Sequence, residues 1–304
     1  MSESSTRRAG HRLAAAFTAL WATLGLLPAG GCRPHATLDA PVLMYHSVEP
    51  DPGDSVWSVS THAFDRQLAD LARQGYTSIL PRDLARARRG WRRLPPKPVI
   101  LTFDDGLLNN LQHAEPLLRR HGFRAICYLI IDRIADTPTD RRTWRQAPCL
   151  TWEEVRAMQR RGTFSFGVHS LAHTPDPRRE AETVASARQA FRRRTGRSPD
   201  SFCYPHGQAP DVLREAVQAA GFTTAMVCED TWHVFSPTND LLRIPRVSVY
   251  GGRHDQRHEA HGLFREAAAG MPAAASPQPD RAGEPAPAHR PAVHPHPIPK
   301  HPPP

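Results

Sequence analysis

The chain has 304 residues and a hydrophobic content of 39%, which suffices for a folded core of one large α/β domain or two small ones. Its formal charge is +9, and all but two of its 39 basic residues are arginines interleaved with acids. This interleaving argues against a nucleic-acid-binding protein, while a basic groove for an anionic polymer remains an open alternative.

Residues 1–32 are predicted to be a targeting segment that is not part of the fold. Three arginines precede an apolar stretch, Leu13–Leu27, which is short for a membrane span and is followed by small residues. The sequence Ala29-Gly30-Gly31-Cys32 is similar to a bacterial lipobox, in which the cysteine becomes lipidated. We therefore expect export across the inner membrane and a periplasmic or cell-envelope lipoprotein anchored to a membrane through Cys32. An ordinary cleaved signal peptide and a twin-arginine signal are the alternatives.

The rest of the chain divides by composition. Residues 33–40 are predicted to be a linker, and residues 41–252 alternate between apolar runs and helical periodicity, as one globular domain does. Residues 253–304 are rich in Pro, Ala and His and cannot bury enough apolar surface to fold alone. We expect a disordered tail there, and weak metal binding by its histidines is the alternative.

Short apolar runs within the domain predict seven strands. They are Val42–Tyr45, Val99–Phe103, Ala125–Ile131, Phe164–Val168, Phe202–Tyr204, Ala225–Cys228 and Ile244–Val249. Helical periodicity and capping signals predict four helices between them: Ala63–Arg73, a helix opened by Thr151 and reaching Arg161, Glu180–Arg194 and Asp211–Ala220. Repeated strand–helix units imply a parallel sheet, so the predicted fold class is α/β, a single deformed barrel of seven or eight strand–helix units.

Polar clusters directly follow four of these strands: Tyr45-His46-Ser47, Asp104-Asp105-Gly106, His169 to His173, and Tyr204-Pro205-His206-Gly207. The C-terminal ends of the strands of a parallel barrel share one rim, so these groups are predicted to converge. One carboxylate and two imidazoles can hold a divalent cation and leave positions open, while the second carboxylate takes a proton.

Simpler interpretations of the same residues remain open. Asp105 could cap a following helix, and His46 could be a structural histidine. Two histidines and one carboxylate also describe the iron site of some oxygenases, although the parallel strand pattern argues against that class. Among the cysteines beyond Cys32, up to two disulfides could form, or the side chains could be small buried hydrophobes.

Three motifs carry a resemblance to a known family: Leu101 to Gly106 (LTFDDG), His169 to His173 (HSLAH) and Cys203 to Gly207 (CYPHG). Together they resemble the polysaccharide deacetylases with a NodB-like domain, carbohydrate esterase family four, over Pro41 to about Val249. The opening Pro41 to His46 and the stretch Pro96 to Ile100 look like the branch that includes periplasmic deacetylases of poly-N-acetylglucosamine.

The resemblance implies specific roles. Asp104 matches the general base, and Asp105, His169 and His173 match the metal triad, with Zn²⁺ as the default and Ni²⁺ or Co²⁺ also suited. A backbone N–H near Tyr204 would help to stabilise the oxyanion. No Leu-x-His motif follows Val247 to supply the usual general acid, so His46 is the candidate.

The chain also departs from the family pattern. Cys203 stands where the family often has an arginine that orients the base, and Arg246 is the candidate to supply that charge. His206 replaces a tyrosine common in the branch. Trp232, in a loose match to the motif whose tryptophan lines the acetyl pocket, joins Tyr204, Pro205 and His206 as the predicted substrate-binding residues.

The resemblance implies an enzyme, a monomeric metal-dependent hydrolase that releases acetate from an N-acetylglucosamine-containing polysaccharide. A deacetylase of peptidoglycan, a hydrolase of another amide such as a cyclic imide, and a non-catalytic glycan-binding protein on the same scaffold are the alternatives.

Overall fold

The computed structural model describes residues 40–228 and 240–251, all within the compact unit Met1–Arg265. The strands in these ranges are β1 (Val42–Tyr45), β2 (Ser47–Glu49), β3 (Ser58–Ser60), β4 (Thr77–Ser78), β5 (Pro98–Phe103), β6 (Ala125–Ile130), β7 (Thr143–Trp144), β8 (Ala147–Pro148), β9 (Phe164–Ser170), β10 (Ser201–Cys203), β11 (Thr224–Met226) and β12 (Val247–Ser248). The α-helices are α1 (Thr61–Arg73), α2 (Pro81–Arg88), α3 (Glu115–His121), α4 (Trp152–Arg161), α5 (Pro177–Thr195) and α6 (Asp211–Ala219).

Eight strands form a curled parallel sheet in the order β11-β10-β9-β6-β5-β1-β12, with β4 paired to the start of β5. Residues before β12 bring the two ends of this sheet together. Ile244 bridges Met226 of β11, while Val247 and Ser248 of β12 pair with Leu43 and Met44 of β1. The predicted α/β fold with a deformed parallel barrel is confirmed.

Apolar side chains pack against both faces of the sheet, which explains why the strands are nearly continuous hydrophobic runs. One cluster, inside the curl, includes Val42, Ile100, Ile126, Tyr128, Met226 and Ile244. The same cluster includes Leu80 and Leu84, so α2 closes the end of the curl at which the strands begin. The larger cluster lies between the sheet and the outer helices and includes Phe64 and Leu68 of α1, Phe103 and Phe164.

The four predicted helices are present as α1, α4, α5 and α6, and capping residues fix their ends close to the predicted positions. Thr151 and Glu154 form the expected reciprocal cap of α4, and Gly162 ends that helix in the left-handed region. Helix α5 begins three residues earlier than predicted, because the Asp176 side chain caps it and Pro177 occupies its first turn. Helices α2 and α3 were not predicted, since they are short and carry few apolar residues at helical spacing.

Two further findings bear on the sequence analysis. No helix within the described ranges combines the length and apolar character needed to cross a bilayer. The four cysteines of these ranges, Cys127, Cys149, Cys203 and Cys228, are free thiols.

Candidate active site

The four polar clusters lie at the C-terminal ends of β1, β5, β9 and β10, two adjacent pairs of strands with β6 between them. One prediction is corrected in detail. His169 lies inside β9 and not after it, because the strand continues past an irregular register at Leu129 and Ile130 to pair through Ser170. The rim that the parallel topology predicted is formed, and it carries both carboxylates and the histidines.

Asp104 is held by Arg246 in a two-pronged ion pair. The two guanidinium nitrogens of Arg246 donate to the two carboxylate oxygens over 2.7 and 2.9 Å, and the residues are 1% and 2% exposed. Burial would raise the pKa of Asp104, but the charges of Arg246 and His169 outweigh it and hold that pKa below its usual value. Asp104 is therefore an ionised carboxylate with a fixed orientation.

Two neighbours complete the surroundings of this pair. The Thr102 hydroxyl donates to the Leu43 carbonyl over 2.9 Å and accepts from Arg246 over 3.2 Å. The Cys203 thiol lies 3.6 Å from both Asp104 oxygens, and burial raises the pKa of Cys203 well above its usual value. Arg246 thus reaches Asp104 from the segment before β12, whereas Cys203 adds only a neutral thiol.

A carboxylate and two imidazoles cluster beside this pair. One ligand atom from each of Asp105, His169 and His173 lies within 4.8 Å of the other two. The Nε2 atom of His169 is 3.8 Å from an Asp105 oxygen, and the rings of His169 and His173 have centroids 4.7 Å apart. These donors and spacings fit a divalent cation such as Zn²⁺, bound with open positions.

The orientation of His169 supports this fit. Its Nδ1 atom lies 2.9 Å from the Cys203 carbonyl oxygen, so Nδ1 donates its proton to that oxygen and Nε2 faces Asp105. Metal-binding histidines commonly donate their other N–H to such a carbonyl. Burial, followed by the charge of His169, lowers the pKa of His173 to about 3, which keeps that ring neutral at pH 7.

A second group with similar spacing consists of Asp104, His169 and Cys203. It is a poor cation site, because both Asp104 oxygens are committed to Arg246 and the Cys203 thiol remains protonated. The triad with Asp105 is therefore the better site.

The backbone that presents this triad is unusual. Asp105 has φ +71° and His173 has φ +59°, a left-handed conformation that few residues other than glycine adopt. Gly106 follows with φ +76°, and a Cβ atom there would lie 2.7 Å from the Leu129 side chain. The turn after β5 therefore requires glycine at position 106 in order to place both carboxylates.

His46 lies at the same rim, directly after β1. Its ring packs against Trp57, with centroids 4.6 Å apart. Burial lowers the pKa of His46, while the nearby Asp104 and Asp105 carboxylates oppose that shift. His46 thus lies at the rim within electrostatic range of both carboxylates.

The Tyr204 to Gly207 segment forms the turn after β10. The backbone N–H of Tyr204 donates to the Met226 carbonyl over 3.0 Å, so it is engaged in the sheet. Pro205 has no N–H, which makes that of His206 the next in the turn. His206 has φ +59°, is exposed, and packs its ring against His173 with centroids 4.7 Å apart.

Sequence reasoning missed three residues at this site. The buried Glu180 carboxylate accepts the backbone N–H of Thr174, directly after His173. The ring of Trp144, in the β7–β8 hairpin, has its centroid 5.2 Å from that of His173, and Trp57 packs on His46. Trp57 lies in the loop before β3 and Trp144 in the short strand β7, and a single sequence gives no sign of which rim residues they approach. Trp232 and Cys32 lie outside the described residues.

A curled parallel sheet with this rim of paired carboxylates and histidines defines the NodB-like class of α/β proteins. Residues 92–225 match the family described as polysaccharide deacetylase, and this match includes the triad of Asp105, His169 and His173 and its neighbour Asp104.

Three known proteins are similar to this chain in sequence or in fold. It is 24% identical to the Bacillus subtilis (strain 168) protein YxkH, provisionally named a polysaccharide deacetylase, over 62% of this chain and 64% of that protein. It is 24% identical to the poly-β-1,6-N-acetyl-D-glucosamine N-deacetylase of Escherichia coli (strain K12), over 68% of this chain but only 36% of that enzyme. The fold is similar to that of IcaB from Ammonifex degensii, with a TM-score of 0.64, 24% identity, and coverage of 76% of this chain and 98% of the other.

Proposed function

We propose that this protein is a metal-dependent hydrolase that removes acetyl groups from an N-acetylglucosamine-containing polysaccharide and releases acetate. The observation that carries the proposal is the meeting of the Asp105, His169 and His173 ligand atoms within 4.8 Å, beside an Asp104 carboxylate that Arg246 holds in place. The E. coli relative, named a poly-β-1,6-N-acetyl-D-glucosamine N-deacetylase, supports the substrate class.

A divalent cation bound by Asp105, His169 and His173 would polarise the amide carbonyl and lower the pKa of a water molecule. Zn²⁺ is the first choice, and Ni²⁺ or Co²⁺ also suits two imidazoles and one carboxylate. His173 contributes a neutral ring, because burial disfavours its charged form, and His169 is oriented by the bond from its Nδ1 to the Cys203 carbonyl.

Asp104 accepts the proton of the attacking water. Arg246 fixes the direction of the carboxylate, which favours a productive geometry but makes Asp104 a weaker base. We assign the backbone N–H of His206, the next one in the turn after Tyr204, as the donor to the developing oxyanion. His46 passes a proton to the leaving nitrogen; because burial lowers the pKa of His46, that proton comes from the attacking water by way of Asp104.

Two tryptophans beside the site are our candidates for binding the sugar rings of the substrate. Trp57 beside His46 and Trp144 beside His173 present ring faces at the rim, and such faces stack on sugar rings. We place Trp232 in the acetyl pocket from its position in the sequence. The catalytic domain spans residues 41–252, and the protein is an exported, monomeric lipoprotein held to the membrane through Cys32.

The test uses the purified full chain, stripped with a chelator and then supplied with Zn²⁺, Ni²⁺ or Co²⁺. Acetate release is measured from β-1,6- and β-1,4-linked N-acetylglucosamine oligomers, and bound metal is measured by elemental analysis. We expect metal to restore release from one of the two linkages.

Two isosteric variants separate the roles of the carboxylates. Asp105→Asn should lose metal and activity together, whereas Asp104→Asn should retain metal and lose about 10²- to 10⁴-fold in kcat. Asp211→Asn, on the exposed start of α6, is the matched control. Metal binding without acetate release from either linkage would contradict the proposal and favour a binding protein or a different amide substrate.

A further inference from the structure

The segment from Pro81 to Lys97, which contains α2, is the most basic stretch among the described residues. It carries seven basic side chains and a single acid, Asp83, whose carboxylate is already used by the Leu80 N–H and by Arg92. Its basic residues are Arg82, Arg86, Arg88, Arg89, Arg92, Arg93 and Lys97. All but Arg82 are exposed, so the segment presents a concentrated positive charge to solvent.

This segment lies at the end of the sheet opposite the catalytic rim. It starts just after β4 and returns to Pro98, where β5 begins, and Leu80 and Leu84 close the curl at that end. The described chain also starts there: the Pro41 carbonyl accepts from Ile100 near the beginning of β5. The basic segment and the entry of the chain therefore share one face.

Basic residues from two other elements extend this face. Arg82, Arg124 and Arg197 line one cavity together with Asp200; Arg124 directly precedes β6, and Arg197 lies in the loop before β10. Burial lowers the pKa of Arg124, and the neighbouring charge of Arg82 lowers it further. Asp83 and Asp200 offset part of this repulsion, and the positive charge that remains attracts an anionic partner.

A large aromatic ring stands among these charges. Trp91 is 72% exposed, more than any other large hydrophobic side chain in the described ranges. The Arg89 guanidinium lies over the ring, 5.1 Å from its centroid. The backbone N–H of Trp91 donates to the Arg86 carbonyl over 2.9 Å. Tryptophan with arginines is the composition that binds at the interface of an anionic membrane.

We propose that this face, formed by the Pro81–Lys97 segment with Arg124 and Arg197, docks on an anionic phospholipid surface. Trp91 inserts at the headgroup level, and the arginines bind lipid phosphates. The chain enters the domain at this same face, and the apolar stretch Leu13–Leu27 precedes that entry in the sequence. Docking in this way turns the catalytic rim away from the membrane and leaves it accessible to a polymer.

The entry of the chain at this face favours a membrane over a soluble anionic polysaccharide, whose sugar rings also stack on tryptophan. Insertion into a membrane uses the apolar ring as well as charge. The inference does not rest on the proposed deacetylation, since none of its residues belongs to the catalytic rim.

The experiment measures sedimentation of the full chain with two kinds of vesicle, one of phosphatidylcholine alone and one with roughly 30 mol% phosphatidylglycerol. The docking variant is Arg86→Glu/Arg89→Glu/Arg93→Glu, and the matched control is Arg66→Glu/Arg119→Glu/Arg178→Glu, exposed arginines on α1, α3 and α5. Because the amino-terminal segment is the same in all proteins, differences between them report on this face.

We expect the docking variant to partition at least about tenfold more weakly onto the anionic vesicles, while the control variant changes little. Trp91→Ala should weaken partition without altering net charge, and circular dichroism should show all variants folded. Equal losses for the two triple variants would overturn the proposal. So would an unaffected Trp91→Ala together with arginine-dependent binding of soluble polygalacturonate, which would identify a polymer site instead.

Discussion

Arg246 and Asp104, 142 residues apart in the chain, meet as a buried two-pronged ion pair over 2.7 and 2.9 Å. Arg246 directly precedes β12 and Asp104 directly follows β5, so the pair ties the segment that closes the sheet to the turn that carries both carboxylates. Stability and site geometry are therefore coupled through one contact.

Replacing Arg246 should reduce both stability and activity. Arg246→Ala leaves a buried carboxylate unpaired and should cost about 3–5 kcal/mol in the free energy of unfolding. Arg246→Lys keeps the charge but loses the second prong, so it should recover part of the stability with kcat still reduced. Urea unfolding and kcat at saturating metal measure both effects. The control Arg214→Ala breaks a partly exposed pair with Asp240 and should cost less than about 1 kcal/mol. An equal cost for Arg246→Ala and the control would contradict the prediction.

The metal-free protein should lose stability as the pH falls from 7 to 5. The pKa of His173 is about 3 in the fold, because burial and then the charge of His169 oppose protonation, against about 6.5 when unperturbed. The unfolded chain thus binds more protons in this range, and the free energy of unfolding should fall by up to about 2 kcal/mol for this site. The lowered pKa values of His46 and His206 act in the same direction.

Urea unfolding of the chelated protein at pH 7 and pH 5 measures this loss. His173→Gln should show a clearly smaller decrease than the wild type, while His62→Gln, on the exposed face of α1, should behave like the wild type. An identical decrease in the His173 variant would show that other groups control the pH dependence.

Glu180 should support metal binding without contacting the cation. Its carboxylate accepts the Thr174 N–H and so fixes the loop that carries His173. Glu180→Ala should weaken metal affinity by about tenfold, as the loss of an outer-shell partner does. Glu180→Gln keeps an acceptor oxygen and should retain most of the affinity. Competition with a chelating dye measures the affinity, and Glu182→Ala, exposed on the same helix, is the control. Unchanged affinity in Glu180→Ala would refute the role.

Gly106→Ala should destabilise the protein more than Gly122→Ala. Both glycines have φ near +75°, but a Cβ at Gly106 would lie 2.7 Å from Leu129, while one at Gly122 has open space. Gly122→Ala should cost about 1–2 kcal/mol from backbone conformation alone, and Gly106→Ala should exceed this by the cost of the clash. Thermal unfolding compares the two. Equal costs would mean that Leu129 relaxes freely.

Much of the fold was predictable because its signals are local. The apolar runs gave the seven main strands to within a few residues, and caps such as Thr151–Glu154 gave the helix boundaries. The separate two-stranded sheet β2–β3, the two-residue strand β4 and the β7–β8 hairpin were not predicted, since so few residues carry too little periodicity. Helix α2 was missed for a related reason: only its inward side is apolar, and six arginines in and after it hide that pattern.

The sequence by itself determined the chemical groups of the site and the rim on which they meet. Asp104, Asp105, His169 and His173 stand in or just after strands, and parallel topology brings such ends together whatever the intervening loops do. The tertiary structure alone decided which partner each group has. The bond from His169 to the Cys203 carbonyl, the approach of Trp144 to His173, and the place of the basic segment opposite the rim all join residues far apart in the chain. Such contacts depend on how the sheet curls and how its helices pack, and no local pattern encodes them.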